Sequence, residues 1–445
     1  MTNLFNRELN NEMPVAVSGK GVHIKDSTGK VYIDACGGAA VSTFGYSNSK
    51  IRTSIIKQTR KLSYVHSGFF NTDVSEELAK ILSENLPEPL NWTYIVSGGS
   101  EAVEASIKLA TQYHASKGHT DKIEIISRHQ SYHGSTLGAL AAGENIPRRK
   151  PYEPLLSNHI QHIAPCHFWR WGGDYSDEEY GINVANELEN KILELGTNKV
   201  SAFICETIVG ATMGAVCPSK GYFERIRSIC NKYDVLLILD EVMCGMGRCG
   251  SLFAFENYNV IPDIVCIAKG LGAGYQPIGA MICNDEIYTS IKNNIGFFEH
   301  GHSYLAHPTA CAAAISVLGL LLKGNMLEKI TYKGHLLKKK LEKKFNSSEY
   351  IGDIRGRGLL IGMEIVKDKQ TKEPFDPRNK IFQKIKRNAL DLGLMVYPGG
   401  GTIDGVYGDH ILLAPPFIIN KKQINEIVDK LYLAYDQTIK SIDFY

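Results

Sequence analysis

Two residues of opposite charge each end an apolar run that reads as a buried strand. Lys269 ends the run Asp263-Ile-Val-Cys-Ile-Ala-Lys269 and opens the glycine-rich turn Gly270-Leu-Gly-Ala-Gly274. Asp240 ends the earlier run Val235-Leu-Leu-Ile-Leu-Asp240. A lysine amine can form a Schiff base with a carbonyl group, and a carboxylate can keep a ring nitrogen protonated. An amine and a carboxylate at two strand ends are what an enzyme that uses pyridoxal phosphate requires.

Two further motifs also follow predicted strands. In Ser97-Gly-Gly-Ser-Glu-Ala102 the glycines let the backbone approach a ligand, and Ser100 can both cap the following helix and contact a phosphate. A plain capped helix would have the same sequence. In Ser131-Tyr-His-Gly134, Tyr132 could stack on a flat ring or pack as an ordinary aromatic residue. Taken singly, neither motif identifies a ligand.

Other kinds of site explain these residues less well. The acidic end of Leu236-Leu-Ile-Leu-Asp-Glu241 would suit a nucleotide hydrolase, but the chain has no GxxxxGK[ST] loop. The glycines after Lys269 lack the GxGxxG spacing of a dinucleotide loop. His159, His162 and His167 lie near Cys166 without a second pair of ligands, so loop histidines are favoured over a metal site.

The segments that must position these residues alternate between strand-like and helix-like patterns. Strands are expected at 92–96, 123–127, 202–205, 235–240 and 264–268, with helices from Ser100, Tyr222 and Thr309. Such alternation predicts an α/β fold whose large domain has a mainly parallel sheet flanked by helices. We expect the large domain at 61–325 and a smaller α+β domain at 326–445, which the N-terminal segment 1–60 joins through a β-meander at 15–34.

Composition narrows the class of protein. The chain has 445 residues and a formal net charge of +2, so neither a nucleic-acid nor an anionic-membrane partner is expected. The ten cysteines are scattered without a CxxC pair, which is typical of a reduced cytoplasmic protein. The N-terminus lacks the apolar core of a signal peptide, and the longest apolar helical stretch, 310–322, is too short to span a bilayer.

The motifs are specific as an ordered set. From about Gly21 to beyond Pro416 the chain resembles the class III, fold type I pyridoxal-phosphate-dependent aminotransferases. The matching segments are Ser97-Gly-Gly-Ser-Glu-Ala102, Ser131-Tyr-His-Gly134, Leu239-Asp-Glu-Val242 with Gly245-Met-Gly-Arg248, Ala268-Lys-Gly-Leu271, and Gly301-His-Ser-Tyr304 with His307-Pro308.

The resemblance implies a role for each matching residue. Lys269 would bind the cofactor and move the substrate proton, and Asp240 would pair with the pyridinium nitrogen. The other cofactor-binding positions would be Gly99, Ser100, Tyr132, His133, Glu206, Val242 and Ser303. Among these, Gly99 and Ser100 would hold the phosphate, and Tyr132 and Val242 would contact the two ring faces. Ser303 would reach the phosphate of a neighbouring subunit, which implies a homodimer with a shared active site.

The implied reaction is transfer of an amino group from an amine or amino acid to a keto acid or aldehyde, by a ping-pong mechanism through Lys269. Racemases, epimerases and aminomutases of the same family carry the same lysine and aspartate, and they are the alternative. A non-catalytic binding protein is disfavoured by the intact Lys269 and Asp240.

Several positions depart from the family pattern. Met243 stands where the family has a glutamine that contacts the ring hydroxyl, and Ala211 where members that use glutamate have a glutamate. The family's arginine that binds the substrate carboxylate usually lies shortly before the Ala414-Pro-Pro416 segment, but the stretch 405–416 contains no arginine. The remaining candidates for that role are Arg148, Arg149, Arg170 and Arg357, and the sequence leaves the choice open. The missing arginine favours a terminal or ω-amine as substrate.

Overall fold

The computed structural model describes residues 3–10 and 12–442. Its strands are β1 Ala16–Lys20, β2 His23–Asp26, β3 Val31–Asp34, β4 Leu90–Val96, β5 Glu124–Arg128, β6 Ile160–Ile163, β7 Val200–Glu206, β8 Leu236–Asp240, β9 Ile264–Ile267, β10 Gly279–Asn284, β11 Ile351–Arg357, β12 Leu360–Ile365, β13 Leu394–Met395, β14 Tyr397–Gly400 and β15 Asp409–Leu413.

The helices are numbered, like the strands, in chain order. They are α1 Gly37–Ala40, α2 Ser49–Lys61, α3 Asp73–Ser83, α4 Gly99–Ser116, α5 Leu137–Ala142, α6 Ile146–Arg149, α7 Phe168–Trp171, α8 Asp177–Leu195, α9 Tyr222–Tyr233, α10 Asp285–Asn294, α11 Pro308–Leu321, α12 Met326–Phe345, α13 Ile381–Asp391 and α14 Lys421–Lys440.

A seven-stranded sheet in the order β4-β10-β9-β8-β7-β5-β6 forms the centre of the protein. Strand β10 is antiparallel to both of its neighbours, β4 and β9. The pairs from β9 through β8, β7 and β5 to β6 are parallel. All strands except β10 therefore run in one direction, and their carboxyl ends meet at one edge of the sheet.

Apolar residues bury both faces of this sheet. In β7, Phe203 and Cys205 belong to one apolar cluster, whereas Ala202 and Ile204 belong to a second cluster on the opposite face. Helices α8 and α9 contribute to the first cluster, and α4, α5 and α10 to the second. Because both faces are covered, the parallel strands read as continuous apolar runs rather than as alternating patterns.

Two smaller sheets lie outside the central one. The first has the order β1-β2-β3-β13, in which the predicted N-terminal meander pairs in parallel with the C-terminal strand β13. The second, β11-β12-β15-β14, is antiparallel throughout. The parallel β3–β13 pair joins the N-terminal segment to the C-terminal one. The domain limits at 60/61 and 325/326 stay a prediction.

The predicted strands and helices are present, with ends that move by one to a few residues. Elements absent from the prediction include β6, β10, β11, β14, β15, α10 and the long helix α8. Helix α8 begins with a capping box in which Ser176 and Glu179 bond each other's backbone amides, a signal that is readable from the sequence. Among the described residues no single helix has the length and hydropathy of a membrane span, although α11 and α12, bent by 71°, pass that test as a pair.

Candidate active site

Five segments that follow strands of the central sheet meet at its carboxyl edge. They follow β4, β5, β7, β8 and β9, and they line a cavity of about 410 Å³. Eight of the nine predicted site residues line this cavity: Gly99, Ser100, Tyr132, His133, Glu206, Asp240, Val242 and Lys269. Ligands of open α/β sheets bind at this edge, because the loops after parallel strands converge there.

Lys269 lies where β9 ends and the chain turns sharply. It has a positive φ of 38° and begins a short 3₁₀ turn, Lys269–Leu271. Burial lowers the pKa of the Lys269 amine, while the negative charges of Asp240 and Glu206 act in the opposite direction. The positive charge of Arg148 lowers this pKa further. A larger fraction of the amine is therefore neutral, and able to act as a nucleophile or a base, than for a lysine in water.

Asp240 ends β8 and is held at both carboxylate oxygens. Oδ2 lies 2.7 Å from Nδ1 of His133, and Oδ1 accepts a hydrogen bond from the backbone N–H of Val242 at 2.9 Å. Asp240 and His133 are both buried. The carboxylate is therefore fixed in orientation at the edge of the cavity, where it can receive a positively charged ring nitrogen.

Glu206 ends β7 and supports the loop that carries Tyr132. Its Oε1 accepts from the backbone N–H of Gly210 at 3.0 Å, and its Oε2 from the backbone N–H of Tyr132 at 3.3 Å. Burial, together with the nearby charge of Asp240, raises the pKa of the Glu206 carboxyl. Both carboxylate oxygens accept hydrogen bonds from backbone N–H groups, so Glu206 holds the loop of Tyr132 in position.

Gly99, at the start of α4, and Gly134, in the loop after β5, lie where a side chain would collide with neighbouring residues. A Cβ atom at Gly99 would lie 2.7 Å from Cγ1 of Val242, and one at Gly134 would lie 2.7 Å from Oγ of Ser100. The first turn of α4 thus comes close to both the Asp240 loop and the Tyr132 loop. Only glycine permits this close approach of the three segments, which leaves a narrow part of the cavity beside the N-terminus of α4.

The expectation that Ser100 caps α4 is wrong. The helix begins at Gly99, and the residue before it, the extended Gly98, makes no side-chain cap. Ser100 therefore lies within the first turn, where its hydroxyl accepts from the backbone N–H of Ser135 at 3.0 Å. That hydrogen bond joins the first turn of α4 to the loop after β5, and no side chain makes a capping hydrogen bond at the start of the helix.

These residues fit pyridoxal phosphate. Its phosphate suits the uncapped N-terminal turn of α4, because backbone N–H groups and the helix dipole favour an anion there. Its ring nitrogen suits the Asp240 carboxylate, and its aldehyde suits the Lys269 amine. Val242 lines the cavity close to Gly99, where its side chain can contact a flat ring.

The Tyr132 ring has a cation on one face. The guanidinium carbon of Arg148, in the short helix α6, lies 4.6 Å from the ring centroid. Arg148 also lines the cavity, as does Arg7 from the N-terminal segment. Neither arginine had a sequence signal that distinguished it, because both reach the site only through the tertiary fold.

Ser303 does not line the cavity within the single chain. It is exposed, and its carbonyl oxygen accepts from the hydroxyl of Tyr64 at 2.8 Å. Its role towards a neighbouring subunit stays a prediction. Glu241, next to Asp240 in the sequence, points instead into the protein, where it accepts from the hydroxyl of Thr207 and the backbone N–H of Phe255.

The histidines near Cys166 do not converge on one point. His159 contacts Glu124 at 2.7 Å, whereas Nε2 of His162 lies 3.2 Å from the carbonyl oxygen of Ala142. In the described ranges, no group of three or more His, Cys, Asp or Glu side chains could hold a metal ion.

Comparison with known proteins agrees with this geometry. The family model for class III aminotransferases matches residues 5–434. An uncharacterized aminotransferase of Schizosaccharomyces pombe is 41% identical over 441 residues, which cover 99% of this chain and 96% of that protein.

Solved structures have the same fold along nearly the whole chain. The (S)-enantioselective omega-transaminase from Thermomicrobium roseum superimposes with a TM-score of 0.92 at 32% identity, covering 98% of this chain and 96% of that one. The omega transaminase from Pseudomonas jessenii in complex with PMP gives 0.90 at 30% identity, covering 96% and 93%. The chain belongs to the class III aminotransferases, which have the fold type I architecture and depend on pyridoxal phosphate.

Proposed function

We propose that Lys269 and Asp240 are the catalytic residues of this aminotransferase. We further propose that the cofactor is held by Gly99, Ser100, Tyr132, His133, Glu206 and Val242, with Ser303 supplied to the neighbouring subunit. The observation that carries the proposal is the convergence of the Lys269 amine and the His133-bound Asp240 carboxylate on one cavity beside the N-terminus of α4. Pyridoxal phosphate, when bound, supplies an electron sink for the electrons of the broken C–H bond.

Each protein group then has a defined task. Lys269 takes the proton from the substrate carbon that bears the amine, and its lowered pKa increases the neutral form that can do so. Asp240 keeps the ring nitrogen charged, and His133 keeps Asp240 oriented. The first turn of α4 binds the phosphate, while Tyr132 and Val242 contact the ring.

We also propose that the enzyme accepts amines at the end of a chain. The side chains at the positions that depart from the family pattern, Ala211 and Met243, line the cavity and are uncharged. The similar proteins from T. roseum and P. jessenii are named omega-transaminases. The acceptor would be a keto acid or an aldehyde.

A homodimer is the proposed assembly, and exposed aromatic residues in the chain segments of Tyr64 and Ser303 support it. Phe69 is 81% exposed, Phe70 67% and Tyr304 61%. They lie in two segments that Tyr64 connects through its hydrogen bond to Ser303 and its ring contact with Tyr304. A cluster of large exposed apolar side chains is typical of a surface that another protein covers.

The ten cysteines are unpaired, which fits a reducing compartment such as the cytoplasm.

An absorbance titration of the cofactor-loaded protein tests the reaction. A panel of α-amino acids and terminal amines is added first, followed by keto acids and aldehydes. Loss of the band of the lysine-bound cofactor, gain of the pyridoxamine band and reversal by an acceptor are expected. A chiral amine that loses its optical purity without any acceptor, while the first band persists, would instead identify a racemase.

The assembly has a separate test. The molar mass in solution, measured by light scattering, is expected to be twice that of the chain for the wild type. Tyr304→Asp is expected to shift the protein towards the monomer, because a charge is then buried in the contact. The exposed substitution Tyr332→Asp, on α12, is the matched control. A wild-type protein of one chain would contradict the shared active site.

A further inference from the structure

Arg148 stands at the junction of two adjoining cavities. The cavity that contains Lys269 shares four lining residues with a second one of about 580 Å³: Arg7, Arg148, Ala211 and Tyr397. The second cavity is lined further by residues of β14, by Lys386 of α13 and by Glu8. A substrate that reacts at Lys269 therefore has room to extend past this junction.

The structure separates the four candidate arginines. Arg170 binds the carboxylate of Glu364 at 2.7 Å, and Arg149 binds the carbonyl oxygens of Ala141 and Gly143 at 3.0 and 3.1 Å. Arg357 donates to the side chain of Asn257. None of these three lines either cavity, whereas Arg148 lines both.

The guanidinium of Arg148 has no anionic partner within residues 3–10 and 12–442. Its contact there is the face of the Tyr132 ring, 4.6 Å from the guanidinium carbon. The two carboxylates that line the Lys269 cavity are already engaged, Asp240 with His133 and Glu206 with two backbone N–H groups. At the junction the small Ala211 supplies no charge. A half-buried cation with free hydrogen-bond donors is thus directed at the substrate space.

We propose that Arg148 binds the carboxylate of the substrate and so determines specificity for amines and carbonyl compounds that carry one. This inference rests on the proposed function, since it assumes that the reacting carbon lies at Lys269. A keto-acid acceptor carries a carboxylate, and a guanidinium can bind a carboxylate through two parallel hydrogen bonds. The contact with the Tyr132 ring restricts the guanidinium before a carboxylate binds, which lowers the entropy lost on binding.

Matched acceptors with and without a carboxylate test the proposal. The pyridoxamine form of the holoenzyme is mixed with pyruvate or with propanal, and the second-order rate constant of each single turnover is followed by absorbance. In Arg148→Met the constant for pyruvate is expected to fall about 10- to 100-fold, the range for a lost hydrogen-bonded ion pair. The constant for propanal is expected to change less than about threefold, and Arg148→Lys is expected to lie between the two.

Lys150→Met is the matched control. Lys150 is exposed, follows the same helix and lines neither cavity, so the variant removes one positive charge without changing the junction. Both rate constants should stay within about twofold, because exposed charges are screened by salt. An equal loss for pyruvate and propanal in Arg148→Met would overturn the proposal, since Arg148 would then act only by holding Tyr132.

Binding without reaction separates this proposal from the proposed function. Butanoate, which has neither an amine nor a carbonyl group that can react, is titrated into the holoenzyme by calorimetry. Its affinity is expected to fall about tenfold or more in Arg148→Met and to be unchanged in Lys150→Met. Equal affinity for wild type and Arg148→Met would overturn the arginine assignment. Wild-type enzyme that transfers no amino group to either acceptor would contradict the proposed function instead.

Discussion

His133 and Asp240 form a buried pair in which Nδ1 of the imidazole lies 2.7 Å from Oδ2 of the carboxylate. An ionised carboxylate can only accept hydrogen bonds, so Nδ1 carries the proton in this contact. The other nitrogen, Nε2, lies 3.4 Å from the hydroxyl of Ser127. His133 lies in the loop after β5 and Asp240 ends β8, so the pair joins two parts of the site that β7 separates in the sheet.

Removal of the imidazole should therefore weaken the function of Asp240. In His133→Ala, kcat and cofactor affinity are each expected to fall about 10- to 100-fold, as for other partners that orient a reacting group. Steady-state kinetics and a cofactor titration of the apoprotein measure the two effects. His129→Ala, in the same loop but paired with Glu144 outside the cavity, is the control. Unchanged cofactor affinity in His133→Ala would contradict this role.

The lowered pKa of Lys269 gives a direction for pH dependence. Because the amine is neutral at lower pH than a free lysine, covalent attachment of cofactor to the apoprotein should rise with pH through a midpoint below 10.5. Rapid mixing at each pH, borohydride reduction and mass spectrometry measure the attached fraction. Arg148→Met should move the midpoint upward, because it removes a charge that disfavours the ammonium form. Lys269→Ala should show no attachment at this position and no turnover, and a wild-type midpoint at or above 10.5 would contradict the prediction.

The close approach of Gly99 to Val242 predicts a pair of compensating substitutions. In Gly99→Ala the new methyl group would meet Cγ1 of Val242 at 2.7 Å, so the start of α4 must shift, at a cost of about 1–3 kcal/mol in folding or cofactor binding. Val242→Ala in the same chain should restore part of that loss. Thermal unfolding and cofactor titration of the four proteins form a double-mutant cycle. Strictly additive effects would show that the two side chains do not collide.

The sequence was sufficient for residues placed by the sheet. Lys269 and Asp240 could be predicted to meet, because each ends an apolar run and parallel strands share a carboxyl edge. It was insufficient where tertiary contacts decide. Ser100 has a residue type that caps helices, yet α4 begins beside it at Gly99. Arg148 could not be separated from Arg170, because only the folded chain brings Glu364 to Arg170.

Strand β10 and the surroundings of Ser303 illustrate two further limits of sequence patterns. Strand β10 is as apolar as the other strands of the central sheet, but it runs antiparallel between β4 and β9. The direction of a strand cannot be predicted from its composition. Ser303 can be assigned only through a resemblance, because its proposed contact is to another subunit. Both depend on interactions that are distant in sequence.

Glu241 predicts how stability depends on pH. Burial raises the pKa of its carboxyl from 4.5 to about 7, despite hydrogen bonds from Thr207 and from two backbone N–H groups. A raised pKa means that the folded protein binds the proton more tightly than the unfolded chain does. The stability from this group is therefore complete below about pH 4.5, and it is lost as pH rises through about 7.

In Glu241→Gln, which cannot ionise, the unfolding temperature should decline less between pH 5 and pH 8 than in the wild type, by the equivalent of about 1–3 kcal/mol. Thermal unfolding at four pH values measures the slopes, with the exposed Glu224→Gln as control. Parallel slopes for Glu241→Gln and the wild type would show that the buried carboxyl titrates as it does in the unfolded chain.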